Sequence, residues 1–225
     1  AGTNTAVDDS DIVPNTDLIG KNLTLQASTL TLSLSSTPAD TTYVKGTQGV
    51  DTVGITFAAS LASSLKVTDV TLTGYVDDDG TAPFAKIGSN SDSSLTTSGL
   101  VSKVSLYDGD TGALISDTVQ TNNLNNSTGT IKFSNLNWMI NAGQTKKLLV
   151  KTNLSSNPTS GSNDYFSFDI DATTDVTALD SSNQTVNSGN ADPNGGTNPT
   201  NVVTVSSAGT LALSAASANP IKKAV

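Results

Sequence analysis

The chain has no cysteine, no histidine, no glutamate and no arginine, and each gap removes a chemistry. Without cysteine there is no disulfide framework and no thiolate nucleophile or metal ligand. Without histidine the usual base beside a catalytic serine is missing, and no Ser-x-x-Lys stands at a helix start to replace it. Without arginine there is no planar fork for phosphate, and the net charge of −9 repels nucleic acid and anionic membranes alike. Glutamate and arginine are also good helix formers, so their loss removes helix-favouring residues. Aromatics are scarce, with one tryptophan and four tyrosines, too few to line a sugar-cleaving cleft between paired aspartates. The expectation is a protein that is not an enzyme and that has neither nucleic acid nor an inserted membrane segment as a partner.

What remains is a strand-and-turn composition. Serine and threonine together supply 64 of the 225 residues and asparagine another 21. Threonine suits strands, whereas serine and asparagine suit turns. Leucine, isoleucine, valine and phenylalanine number 53, enough for a thin core. No apolar run reaches the length of a membrane helix, which is about 18 residues or more. Ala1-Gly2-Thr3 has neither a charged nor an apolar leader, so any export signal is expected to have been removed.

Alternation with a period of two runs through the chain, and no segment sustains a helical period. Leu23 and Leu25 share one parity, and Leu30, Leu32 and Leu34 share the other. That predicts a bulge near Gln26 to Ser28. Val53, Ile55 and Phe57 are in phase. Leu65 to Val76 changes parity near Asp69, and Ile131 and Phe133 give way to Leu136, Trp138 and Ile140 across a bulge at Ser134-Asn135. Trp138 therefore reads as core. Turns are expected at Asp108-Gly109-Asp110-Thr111-Gly112 and at Asn141-Ala142-Gly143-Gln144. Phe166, Phe168 and Ile170 face inward with Asp169 and Asp171 opposite, and residues 77–99 and 180–200 read as polar loops. About ten short strands of this kind make an all-β chain, an antiparallel Ig-like or jelly-roll-like sandwich with extended terminal strands. The divisions are an N-terminal extension at 1–22 pinned by a neighbour, the sandwich at 23–205 and a terminal strand at 206–225.

No cofactor is expected, and calcium is the only cation the residues suggest, since it takes oxygens from Asp, Asn and carbonyl groups. Asp77 and Asp79 in one turn and Asp108 and Asp110 in another are the candidate ligands. With successive strands antiparallel, those two turns fall at opposite ends. Asn190-x-Asp192-x-Asn194-Gly195 has the spacing of a calcium loop but only one carboxylate, and Asn201 stands where a bidentate glutamate belongs. Asp69, Lys103 and Lys132 are the residues from which an internal isopeptide cross-link would have to be built. Asn22, Asn125, Asn126, Asn153 and Asn183 each open an Asn-x-Ser/Thr triplet and are candidate glycan acceptors.

One repeat organises the chain. Ala27-Ser28-Thr29-Leu30-Thr31-Leu32-Ser33 recurs 181 positions later as Ala208-Gly209-Thr210-Leu211-Ala212-Leu213-Ser214, with five of seven positions identical. Together with Val104-Ser-Leu-Tyr-Asp-Gly and Phe133-Ser-Asn-Leu-Asn-Trp-Met-Ile-Asn-Ala-Gly-Gln, this chain resembles the Ser/Thr-rich Ig-like modules of large secreted bacterial surface proteins. That resemblance implies an exported sandwich at the cell surface. A terminal strand without its own sheet must pair elsewhere. The expected function is thus a structural subunit of an extracellular filament or surface layer, a homopolymer joined by terminal strand addition. Leu211, Leu213, Leu30, Leu32, Ile12 and Val13 are its candidate assembly residues. The alternative is an adhesin or carbohydrate-binding module, with glycans as partners, within a longer protein.

Overall fold

The computed structural model describes residues 26–86, 100–120, 129–156 and 163–206. In chain order the strands are β1 (Leu30–Leu34), β2 (Thr41–Val44), β3 (Val50–Ala59), β4 (Leu65–Asp77), β5 (Ala85–Lys86), β6 (Val101–Asp108) and β7 (Leu114–Gln120). They continue with β8 (Thr130–Phe133), β9 (Trp138–Ile140), β10 (Thr145–Leu154), β11 (Asn163–Asp169), β12 (Val176–Leu179), β13 (Thr185–Asn187) and β14 (Val203–Ser206). A single 3₁₀ turn, Thr173–Asp175, separates β11 from β12. The chain is an all-β sandwich of two sheets. One has five strands in the order β1-β3-β10-β6-β7, and the other has nine.

The spine of the larger sheet is β4, and the registers show how it is flanked. Val70 lies opposite both Val176 and Phe133, and Thr73 opposite both Asp169 and Thr130. A residue has one partner on each side, so β11 and β12 share one flank of β4, interrupted by the 3₁₀ turn. β8 holds the other flank. By the same reasoning β9 and β5 lie beside β8, since Val67 faces both Ala178 and Trp138 and Tyr75 faces both Ser167 and Lys86. β13 adds to β12, and β14 adds to β11.

The changes of parity read from the sequence are real features of this sheet. Pairing of β12 with β4 slips between Thr177 and Ala178, beside Thr68 and Asp69, so Val67 and Val70 both point into the core. Between β8 and β9 the chain steps out at Asn135 (φ 59°) and returns as the Leu136 amide donates to the Thr68 carbonyl at 2.9 Å. Phe133, Leu136, Trp138 and Ile140 are thereby all buried. Trp138 meets Phe57 edge to face at 5.2 Å, joining the two sheets within one core. The bulge expected near Gln26 to Ser28 depends on Leu23 and Leu25, which lie outside the described residues.

Three expectations are corrected. Among the described residues there are fourteen strands rather than about ten: β2, β5, β12 and β13 are two to four residues long and rich in threonine or small residues. The sheet is also mixed, because β14 pairs with β2 in parallel. Thirdly, residues 180–200 are not a loose loop. They carry β13 and then fold over the outer face of β4 and β11, so that Thr73, Tyr75, Ser167 and Asp169 are buried although they point away from the core.

Candidate functional site

The acidic residues proposed as calcium ligands fall into two separate places. Asp108 accepts the Trp138 Nε1–H at 2.8 Å, and Trp138 lies opposite Val67. Asp77 is ten residues further along β4, a span of about 30 Å. The two turns thus lie at opposite ends, as the antiparallel reading predicts. The Asp108 carboxylate is filled by the chain itself. Its Oδ1 accepts the amides of Asp110 (3.1 Å) and Thr111 (2.9 Å), and its Oδ2 accepts from Trp138 and from the Lys146 ammonium at 3.1 Å. Burial pushes this carboxyl up, but the Trp138 N–H, the Thr111 amide and Lys146 outweigh it and hold it far below the ordinary carboxylate range. Asp110 accepts the Lys147 amide at 3.0 Å. Both residues hold the turn in place.

Asp77, Asp78 and Asp79 each bring a carboxylate oxygen within 4.8 Å of the other two. Asp77 Oδ2 already accepts the amides of Asp79, Gly80 and Thr81, and Asp79 Oδ1 accepts that of Thr81 at 2.7 Å. This geometry describes a self-capped turn. The three residues with calcium-loop spacing diverge altogether. Asn190 reaches β1, the Asp192 backbone takes a left-handed turn (φ 52°), and Asn194 is fully buried.

Asn194 instead anchors the cover over the outer face. Its Nδ2 donates to Ser167 Oγ at 2.7 Å, its Oδ1 accepts the Asn201 amide at 2.9 Å, and its own amide donates to Asp169 Oδ1 at 3.1 Å. Asp169, fully buried, also accepts from the amides of Ile170 and Gly196 at 2.8 and 2.6 Å. Burial raises its pKa in spite of those three donors. Beside this cover lies an open polar pocket of about 360 Å³ lined by Tyr75, Lys86, Asp171, Asp192 and Gly195–Thr197. Asp171 is its hub, accepting Tyr75 O–H at 2.7 Å and pairing with Lys86 at 2.6 Å. Burial, then the Asp171 bond and charge, push the Tyr75 phenol far above its ordinary pKa. Parity placed Asp169 and Asp171 on the face opposite the phenylalanines, but nothing in the sequence marked that face as covered.

The two long sides of the sandwich differ at β1, although β2 also has β14 as its one partner strand among the described residues. On one, β1 is sealed: the Gly189 amide donates to the Leu30 carbonyl at 2.7 Å, and the Asn190 carboxamide both accepts from the Leu32 amide (2.8 Å) and donates to the Leu32 carbonyl (2.7 Å). A side-chain amide thus imitates a neighbouring strand. Leu30 and Leu32, named as assembly residues, are buried in their own core at 0% and 2% exposure, so their side chains are not available to a neighbour. On the other side, among the described residues, β7 pairs with β6 alone and β9 with β4 alone. Between these two edges lies a groove of about 240 Å³ lined by Asp108, Ala113, Leu114, Ile115, Asn137 and Trp138. Leu114 is 50% exposed there, and Met139 and Leu61 add exposed apolar surface at the same end.

The other assembly residues, Ile12, Val13, Leu211 and Leu213, lie outside the described residues, as do Asn22, Asn125 and Asn126. Asn183 is exposed in the turn between β12 and β13 and is open to a glycan. Asn153 is half-buried in β10, with Oδ1 accepting the Gly49 amide at 2.9 Å. Lys132 lies 3.6 Å from Asp69 and is mostly exposed, whereas Lys103 belongs to β6 in the other sheet, so the three residues of the hypothetical isopeptide do not meet.

No family model matches the chain, and no curated protein matches it. Among solved structures it is similar to a family 123 glycoside hydrolase from Clostridium perfringens, at 12% identity and a TM-score of 0.34, over 80% of this chain and 27% of that one. It is similar to a chain of the dockerin–cohesin complex of CaDoc0917 with CaCohA2, at 14% identity and a TM-score of 0.28, over 80% of this chain and 100% of that one. The bacterial hydrophobin BslA gives 14% identity and a TM-score of 0.21, over 83% and 99%. The chain spans about a quarter of the hydrolase. Likenesses this distant carry no functional argument. Among the described residues, no helix is long and apolar enough to cross a membrane.

Proposed function

We propose that the protein is a structural subunit of an extracellular filament or surface layer, with copies joined by the addition of a strand from one to a sheet of the next. The observation that carries this is a pair of open strand edges beside a groove. β1 is closed by the Asn190 carboxamide, whereas β7 and β9 each have one partner strand among the described residues and border a groove lined by Leu114, Ile115 and Trp138 together with Asp108 and Asn137. Exposed strand edges bordered by apolar side chains are templates for pairing, and folds that stay monomeric cover or charge them. The test is the purified full chain followed by light scattering and electron microscopy over a range of concentrations. Growth into filaments or sheets is expected, and a monomer at every concentration would overturn the reading.

The polar pocket around Asp171 favours a second reading, a binding module for a polar ligand such as a glycan. Binding to a glycan array that is lost in Asp171→Ala, with no assembly at any concentration, would decide for it.

A further inference from the structure

We infer that the groove between β7 and β9 receives the segment 208–214 of a second copy, with Leu211 and Leu213 turned toward Leu114, Ile115 and Trp138. This rests on the subunit reading above and adds the joint's location. The groove needs a strand with apolar side chains on one face and no charge. Ala208 to Ser214 alternates in that way and carries no charged residue. Among the described residues that line the groove, Asp108 is the one charged side chain, and Lys146 already neutralises it at 3.1 Å. An uncharged strand therefore leaves no buried charge without a partner.

Chain length shows which copy supplies the strand. β14 ends at Ser206, opposite Asn163, two residues beyond Tyr165, which lies opposite Asp77. The groove is at the Trp138–Val67 end of β4, about 30 Å away along the sheet, and on the far flank of β4. Leu211 and Leu213 follow Ser206 by five and seven residues, so a fully extended chain carries them at most about 17 and 24 Å. They cannot reach the groove of their own copy. The site of β1 cannot take the strand either, because Leu30 and Leu32 fill it and Asn190 closes its outer edge.

The chain has no cysteine, so engineered thiols report contacts without background. Full-length Leu114→Cys, labelled with ¹⁵N, is mixed with unlabelled full-length Leu211→Cys under mild oxidation, and mixed dimers are scored by mass. A parallel mixture uses Ala212→Cys in case the leucine itself is needed. Thr31→Cys, on the exposed face of the sealed strand, replaces Leu114→Cys as the control, and Ile12→Cys replaces the donor. Held together, the thiols experience a raised effective concentration, and about a tenfold excess of mixed dimer over the Thr31 control is expected. Yield equal to the control with both donors would overturn the placement, as would a higher yield with Ile12→Cys, which would assign the groove to the N-terminal extension. Light scattering on the unmodified chain separates the two levels. Assembly without the Leu114 cross-link removes only the placement, and no assembly at all removes the subunit reading with it.

Discussion

Trp138 and Asp108 are joined by a 2.8 Å hydrogen bond between the indole N–H of one sheet and a carboxylate of the other. The pair does three things at once. It satisfies the one polar atom of the largest core side chain, it holds the Asp108–Gly112 turn through two backbone amides, and it forms one wall of the open-side groove. Removing the carboxylate therefore strands several donors. Asp108→Ala should cost about 2–4 kcal/mol, since a buried indole N–H and a nearby ammonium both lose a charged acceptor. Urea unfolding followed by Trp138 fluorescence measures this, and a loss under about 0.5 kcal/mol, in the range of an ordinary surface change, would show that the pair is incidental.

Stability should pass through a maximum in mild acid. For Asp169 and Asp175, burial is the main cause of a raised pKa, so their contribution is present below the ordinary carboxyl value and lost as pH rises through the raised one. For Asp108 and Asp69, burial is outweighed by hydrogen bonds and nearby lysines. Their contribution is present above the ordinary value and lost as pH falls toward the lowered one. Descending from neutrality, the first pair adds stability before the second pair loses it, which puts the maximum near the ordinary carboxyl value, about pH 4. Urea midpoints at steps of pH test this. A midpoint falling steadily from neutral pH downward would contradict it, and Asp108→Asn should flatten the acid limb.

Much of the architecture was legible because half-buried strands announce themselves by parity. The slip beside Asp69 and the break at Asn135 were both readable, since each moves a run of apolar residues from one face to the other. The short outer strands were not legible: β2 and β13 bury one face only partly, and Thr41–Val44 and Thr185–Asn187 have little apolar content to alternate. The site was harder still. Asp108-Gly109-Asp110 reads as a solvated turn, and the one available signal, that a buried Trp138 needs an acceptor for its N–H, does not say which residue supplies it. Little local marks Asn190 or Asn194 as structural, because Asn190 pairs with Leu32, 158 positions away, and Asn194 donates to Ser167, 27 positions away. A polar loop and a polar cover have the same composition.

Asn190→Ala should unseal β1. Both hydrogen bonds to Leu32 vanish, at a cost of about 1–3 kcal/mol for two polar groups at a part-buried edge. Hydrogen exchange at the Leu32 amide should quicken while that at Ile55 in β3 does not. Uniform quickening through both strands would mean that the carboxamide supports the whole sandwich rather than one edge.

Chelators should leave the melting temperature unchanged. Asp77 and Asp79 spend oxygens on four amide contacts within their own turn, and Asp108 is filled by Trp138, Lys146 and two amides. A fall of several degrees in EDTA, reversed by calcium, would show a cation held by the Asp77–Asp79 cluster.

Assembly by strand addition is tested most sharply by a pair of charge substitutions one residue apart. In an added strand Leu211 and Ala212 face opposite ways, so one lies in the groove and the other in solvent. Leu211→Asp buries a carboxylate without a partner, whereas Ala212→Asp adds the same charge to an exposed face. Filament or sheet yield by light scattering and electron microscopy, with circular dichroism to confirm folding, should be abolished by Leu211→Asp and nearly unchanged by Ala212→Asp. Equal assembly of the two variants, or greater damage from Ala212→Asp, would contradict the strand-addition joint.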